Sequence, residues 1–130
     1  MNREKKMSNL ILAALSQCPG PYFRQLSKEL AMPVGTLNYY LTKLARERLV
    51  YRLGSRPRYY HVNTPLEEAI AIYILREGPK ALREFPEVKC GNSLSPTAKS
   101  LMTAALDRYP CLRQDVVENY ILWPTRRWCS

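Results

Sequence analysis

The stretch from residue 22 to residue 62 constrains this chain most, because its order of elements has few structural solutions. It contains two short helical segments joined by a tight turn and then a β-prone hairpin with a basic tip. In the second helical segment, residues 34–48, Leu37, Leu41 and Leu44 fall within about 60° of one another on a helical wheel. We therefore predict a helix that buries its leucines and turns a polar arc outward.

The polar arc combines small hydroxyls and an amide near the helix start with cations further along, a pattern that suits a DNA major groove. The predicted base-reading residues are Gly35, Thr36, Asn38, Tyr39 and Thr42. Gly35 would allow close approach, whereas Tyr40 lies about 60° from Leu37 and is predicted to pack. The alternative is an ordinary solvated helix face. The flanking elements favour the DNA interpretation.

Those flanking elements are a first helix over residues 4–17, a second over residues 22–31, and two strands around a turn at residues 54–58. The predicted phosphate or minor-groove residues are Arg24, Lys28, Lys43, Arg46, Arg56 and Arg58. Arg56 and Arg58 are predicted at the hairpin tip, where arginines enter a minor groove or hold the flanking phosphates.

The positive charge is concentrated in the first half of the chain. The 130 residues carry a formal net charge of +9; residues 1–64 hold 11 Lys/Arg against 3 Asp/Glu, and residues 65–130 hold 9 against 8. This asymmetry indicates a polyanion partner for the first half. We predict a DNA-binding domain over residues 1–64 and a helical extension over residues 65–130.

The run PGPYFRQLSKELAMPVGTLNYYLTKLARERLVYRLGSRPRYYHV resembles the winged helix-turn-helix transcriptional regulators of the ArsR/MarR-like superfamily, in their archaeal-type variant. The resemblance covers about 40 contiguous residues and implies a DNA-binding regulator, often dimeric, whose third helix reads the groove. Two positions depart from the family pattern. Arg48 stands where a glycine is usual, which predicts a differently shaped helix end, and Pro33 has no capping oxygen.

The second half is predicted to open with a capping box, Thr64-Pro65-Leu66-Glu67, and a helix to about Arg76. Residues 80–95 are predicted to be loop-rich, followed by helices over residues 96–108 and 113–122. Residues 104–110 weakly echo residues 13–19, so a degenerate second helix-turn-helix is an alternative to a packing module.

A homodimer is the predicted assembly, with contacts mainly from residues 65–130. Four apolar side chains of the helix after residue 65 are the candidate surface: Leu66, Ile70, Tyr73 and Ile74. The alternative is that segments around residues 101–106 and 116–123 of the same chain cover them. Two DNA-binding domains carried by a dimer would occupy two half-sites.

The sequence offers no pattern for catalysis, metal binding or a cofactor. Four cysteines lack close pairing and His61 is the only histidine, so we predict free thiols in a reducing compartment and no metal. None of the nucleotide-binding, hydrolase or metalloprotease motifs occurs, so we do not expect an enzyme. No apolar run is long enough to span a membrane, and residues 4–17 are interpreted as a domain helix, not a signal peptide. A cytoplasmic, nucleoid-associated protein is expected.

The sequence thus predicts a mostly α fold with a small β-hairpin wing, a winged helix-turn-helix, followed by a C-terminal helical extension. The predicted function is sequence-specific binding of double-stranded DNA in transcription control. Two alternatives are a winged helix used as a protein-interaction module and an RNA-binding winged helix. Weak, salt-insensitive DNA binding would favour the first alternative, and preference for RNA in competition would favour the second.

Overall fold

The computed structural model describes residues 3–90 and 93–113. The described chain is mostly helical and contains a two-strand antiparallel hairpin in its first half. It divides into two compact units, Met1–Thr64 and Pro65–Ser130, at the position where the charge composition changes.

The first unit contains three helices and one hairpin in the predicted order. These are α1 (Arg3–Gln17), α2 (Phe23–Leu30), α3 (Val34–Arg46), β1 (Val50–Leu53) and β2 (Arg58–His61). The predicted helices and strands are confirmed, each boundary lying within two residues of the expected one. The helical spacing of apolar residues and the positions of proline and glycine were sufficient to locate them.

The core of this unit forms where α1 and α2 meet one face of α3. Its buried side chains are Ile11, Leu15, Leu26, Met32, Leu37, Tyr40, Leu41, Leu44 and Val50. The three leucines predicted to face inward from α3 are all buried. Tyr40 is 8% exposed, so its predicted packing role is confirmed. The opposite face of α3 is therefore turned away from the core.

The segment before α2 pairs with the hairpin and ties it to the helices. Tyr22 forms an antiparallel bridge with Arg58. The Gly20 amide donates to the Tyr59 carbonyl at 2.9 Å, and the Tyr59 amide donates to the Pro21 carbonyl at 3.0 Å. Gly20 has a φ of 84°, a conformation that glycine adopts without steric cost. The segment thus lies along β2 on the side away from β1.

The end of α3 has the shape that a glycine usually provides, although an arginine occupies it. Arg48 has a φ of 62°. Its amide donates to the Ala45 carbonyl at 3.0 Å, and the Leu49 amide donates to the Leu44 carbonyl at 2.9 Å. This is the Schellman arrangement. The expectation of a differently shaped helix end is therefore wrong, because the two hydrogen bonds and the burial of Leu44 hold the arginine in the left-handed region.

The second unit is built around two helices, α4 (Leu66–Glu77) and α5 (Pro96–Arg108). Between them lie two 3-10 helices, Pro79–Glu84 and Pro86–Val88, and a short hairpin of β3 (Lys89–Cys90) and β4 (Ser93–Leu94). The described residues between 80 and 95 thus form short 3-10 helices and strands and no long element, as the breaking residues predicted, since proline also starts 3-10 turns. The predicted α5 is confirmed, and the Ser95 hydroxyl caps it by accepting from the Ala98 amide at 3.2 Å.

The helix α4 differs from the prediction in two respects. It begins at Leu66 with Pro65 as its N-cap and no side-chain cap, so the capping box is wrong. All eight residues from Ala69 to Arg76 are buried, and α5 and the first 3-10 helix pack against α4. The side chains expected to form a dimer surface are therefore covered within one chain, apart from Leu66, which is 54% exposed.

Three further expectations concern the cysteines, the last predicted helix and membrane-spanning segments. Cys18 and Cys111 are each disulfide-bonded, so the expectation of free thiols is wrong; a disulfide needs two sulfurs brought together by the fold, not a close pair in sequence. The predicted helix over residues 113–122 lies outside the described residues from position 114 onward, as does the segment 116–123. Within the described ranges, no helix is long and apolar enough to cross a membrane.

The left-handed residue at the end of α3 generates a stability prediction. Arg48→Gly should raise the free energy of unfolding by about 1 kcal/mol, because glycine adopts this conformation without the Cβ clash that other residues carry. Ala31 follows the last turn of α2 and has a φ of 50°. Ala31→Gly should therefore raise the free energy of unfolding for the same reason. Urea denaturation of the full chain measures both changes. A loss of stability in both variants would contradict this account of the helix ends.

Candidate nucleic-acid interface

The exposed side of α3 gathers six of the predicted site residues in one shallow concavity of about 400 Å³. Its lining consists of Gly35, Asn38, Tyr39, Thr42, Lys43 and Arg46. These positions recur at intervals of three, one, three, one and three residues, which is a single stripe along a helix. The structure therefore brings four predicted base readers and two predicted phosphate holders onto one continuous face.

The other predicted residues lie off this stripe. Thr36 is partly exposed and does not line the concavity. Arg24 and Lys28 are exposed on α2, and Arg56 is exposed in the hairpin turn. Ten of the eleven Lys/Arg residues within positions 1–64 are at least partly exposed. The first unit thus presents cations on α1, α2, α3 and the hairpin.

Among the described residues, nothing requires a glycine at position 35. A Cβ built on Gly35 would meet nothing within 4 Å. Its φ is not positive, since the glycines with positive φ are Gly20, Gly54 and Gly78. Glycine in a helix is less stable than alanine by up to about 1 kcal/mol. A glycine without a local reason is typical of a surface that another molecule approaches closely.

An acidic side chain from α1 lies on this face. The Tyr39 hydroxyl donates to Glu4 Oε1 at 3.2 Å, and Lys43 Nζ donates to Glu4 Oε2 at 3.3 Å. The hydrogen bonds from Lys43 and Tyr39 lower the pKa of the Glu4 carboxyl, and Glu4 in turn raises the pKa of Lys43. Glu4 was not among the predicted site residues, because no local sequence pattern links it to residues 35 or more positions away.

Two adjacent tyrosine rings are in contact at the stripe. The rings of Tyr39 and Tyr40 meet edge to face, with centroids 5.0 Å apart and an interplanar angle of 81°. Because Tyr40 is buried and Tyr39 is 55% exposed, the buried ring supports the exposed one. Tyr39 therefore presents its hydroxyl from a ring that is held on one side.

The placement of Arg58 at an exposed hairpin tip is wrong. Arg58 is the first residue of β2, paired with Leu53, and it is 5% exposed. Its guanidinium Nη1 donates to the Gly20 carbonyl at 2.6 Å, and its guanidinium carbon lies 3.7 Å from the centroid of the Tyr22 ring. A buried guanidinium held in this way ties the hairpin to the segment before α2. It is not available to a phosphate.

Arg56 remains at the turn and is linked to the start of α2. Its guanidinium carbon lies 4.8 Å from the Tyr22 ring centroid. The Tyr22 amide donates to Gln25 Oε1 at 2.8 Å, which satisfies one amide at the helix start. Tyr22, which contacts both arginines, was not among the predicted site residues. The available signal was its position directly before a predicted helix and near a basic hairpin.

The lone histidine makes a local backbone contact. His61 Nδ1 accepts from the Asn63 amide at 3.0 Å, directly after β2. Within residues 3–90 and 93–113, no group of three or more His, Cys, Asp or Glu side chains is placed to hold a metal ion.

Comparison with protein-family models, with curated proteins and with solved structures finds no match to this chain.

Two arginines of the hairpin provide a matched pair for testing this description. Arg58→Ala should lower the free energy of unfolding by about 2–3 kcal/mol, because it removes a buried charged hydrogen bond and leaves the Gly20 carbonyl without it. Arg56→Ala removes an exposed guanidinium and should change stability by less than about 1 kcal/mol. Urea denaturation distinguishes them. Equal effects of the two substitutions would contradict the different burial of these side chains.

Proposed function

We propose that residues 1–64 form a winged helix-turn-helix domain that binds specific double-stranded DNA, and that the protein regulates transcription. In this proposal α3 enters the major groove and the turn between β1 and β2 is the wing. The observation that carries the proposal is the exposed polar stripe of α3, which includes a glycine that the fold does not require.

The stripe has the dimensions and chemistry of a groove-reading surface. The twelve residues from Gly35 to Arg46 extend about 16 Å along a helix, and the major groove of B-DNA is about 12 Å wide. The Asn38 amide suits adenine, and the Thr42 methyl and hydroxyl suit thymine or other base edges. Arg46, at the far end of the stripe, suits a guanine or a phosphate.

The strand arrangement supports the winged topology. A winged helix-turn-helix places a hairpin after the third helix, and here the segment at residues 20–22 adds backbone pairing to β2. Arg56 in the turn would contact phosphate or the minor groove beside the major-groove site. On α2, Arg24 and Lys28 would hold backbone phosphates on the opposite flank. Phosphate contacts of this kind fix the register of the reading helix.

Two other binding functions remain alternatives, and charge and shape discriminate among the three. The basic surface of the first unit favours a nucleic acid over a protein partner. A helix fits the wide major groove of B-DNA but not the deep, narrow major groove of A-form RNA. Competition of a labelled DNA duplex with RNA duplexes, single strands and heparin would separate these possibilities. RNA preference would favour stacking by exposed tyrosines such as Tyr39.

The homodimer stays a prediction. Of the four α4 side chains expected to form it, Ile70, Tyr73 and Ile74 are buried within one chain and Leu66 is exposed. Pairing would still increase affinity by presenting two reading helices to two half-sites. A location at the nucleoid follows from the proposed function and is tested with it.

Salt dependence tests the proposal most directly. The logarithm of duplex affinity should fall linearly with the logarithm of salt concentration, with a slope that reflects several phosphate contacts. Arg46→Ala should weaken binding and reduce that slope by roughly one, since one cation is removed. Fluorescence anisotropy with a duplex selected from a random library measures both quantities. Duplex affinity that does not change with salt would contradict DNA binding through this surface.

Gly35→Ala tests whether the stripe approaches another molecule. The substitution should stabilise α3 by up to about 1 kcal/mol, because alanine favours helix and the site is open. It should also weaken binding to the selected duplex by about tenfold, as expected from the loss of a close contact to a base pair. Urea denaturation and anisotropy measure the two effects on one variant.

Ala45→Gly is the control for that experiment, because Ala45 is exposed on α3 and does not line the concavity. It should lower stability by about 1 kcal/mol and leave duplex affinity unchanged. If Gly35→Ala leaves affinity unaltered as well, close approach at Gly35 is excluded.

A further inference from the structure

Glu4 is an anion already held by two donors of the α3 stripe. Each carboxylate oxygen has its own partner: Tyr39 donates to Oε1 at 3.2 Å and Lys43 donates to Oε2 at 3.3 Å. The carboxylate comes from α1, whereas both donors lie one helical turn apart on α3. The two donors therefore converge on one point in space, and that point is occupied by negative charge.

We propose that the Tyr39 hydroxyl and Lys43 Nζ form a binding site for one phosphate of the DNA backbone, which the Glu4 carboxylate occupies in the free protein. This inference rests on the proposed DNA-binding function. It moves Tyr39 from the predicted base-reading residues to those that hold phosphate. It also makes Glu4 an internal competitor that lowers the affinity of the domain for all DNA.

The donors have the chemistry of phosphate ligands. Tyrosine hydroxyls and lysine ammonium groups both bond to backbone phosphates in protein–DNA interfaces. A phosphate offers the same pair of anionic oxygens that the carboxylate offers, so it can accept both hydrogen bonds together. The ring of Tyr39 is held by its edge contact with buried Tyr40. Its hydroxyl therefore keeps its position when the carboxylate leaves.

The Glu4 carboxylate is exposed enough to be exchanged. The Glu4 and Lys43 side chains are 58% and 33% exposed in the ion pair. Exposed ion pairs are weak and screened by solvent. A phosphate on a duplex has neighbouring contacts to other cations of the same face, so it displaces an isolated carboxylate. The Glu4 carboxylate thus occupies the site but can be replaced by a phosphate.

The competition operates throughout the neutral pH range. The hydrogen bonds from Lys43 and Tyr39 lower the pKa of Glu4, so the carboxylate is charged wherever an ordinary glutamate is charged. Protonation therefore does not release the site near neutral pH. The binding of DNA is what releases it.

The test compares two carboxylate-to-amide substitutions in the full chain. Glu4→Gln should raise affinity for the selected duplex and for a random duplex by the same factor, roughly two- to fivefold, the range that one exposed charge pair supplies. Glu29→Gln removes the same charge from an exposed position on α2 and should raise affinity less. Circular dichroism verifies that helix content is retained. Equal gains from the two substitutions would show an effect of net charge alone and overturn the proposal.

A second variant tests the phosphate site itself. In the Glu4→Gln background, Tyr39→Phe should weaken binding to the selected and the random duplex equally and cancel part of the gain. Weakening confined to the selected duplex would show that Tyr39 reads bases, and the phosphate site would be wrong. If the unmodified chain binds duplexes with a steep salt dependence but Glu4→Gln leaves affinity unchanged, the competition is wrong and the proposed function stands. Salt-independent binding by the unmodified chain would overturn both.

Discussion

The burial of Leu37, Leu41 and Leu44 fixes the orientation of α3 in the first unit. Each is at most 4% exposed, and burying one such side chain contributes about 1.5–3 kcal/mol. A rotation of α3 by one residue, about 100°, would take these leucines out of the core. The outward direction of the stripe from Gly35 to Arg46 is therefore a consequence of packing. The orientation of the proposed DNA-binding surface is thus determined by the opposite, buried side of the helix.

The hairpin depends on a second interaction, the buried hydrogen bond from Arg58 to the Gly20 carbonyl, which removes one cation from the surface. Arg58 is buried between the hairpin and the segment before α2, and Lys43 is paired with Glu4. Two of the eleven Lys/Arg residues in positions 1–64 are therefore buried or paired with a carboxylate. The other nine are exposed, and Arg24, Lys28, Arg46 and Arg56 are among them.

The sequence was sufficient for the elements and the buried face, and insufficient for contacts between distant residues. The apolar period located α1, α2 and α3, because it reflects a core that all three helices share. Arg56 and Arg58 look equivalent in the sequence, yet the hairpin register places one in the turn and the other in β2. Glu4 could not be found, since its partners are 35 and 39 positions away.

The second half was less predictable for a related reason. Its helix α4 is apolar around most of its circumference. Such a pattern predicts that the helix is buried but does not indicate which element covers it. The same side chains fit a dimer contact and an intramolecular core equally well. The structure chooses the second for Ile70, Tyr73 and Ile74, which are at most 4% exposed in a single chain.

The pairing of residues 20–22 with β2 also bears on aggregation. A two-stranded hairpin has two edges whose backbone groups can recruit a strand from another molecule. Here the segment before α2 occupies the edge of β2, and among the described residues no strand pairs with the outer edge of β1. That remaining edge is four residues long and carries exposed Arg52. A short edge with a charged side chain is a poor template for a foreign strand, so the hairpin can project toward solvent without inviting fibrous assembly.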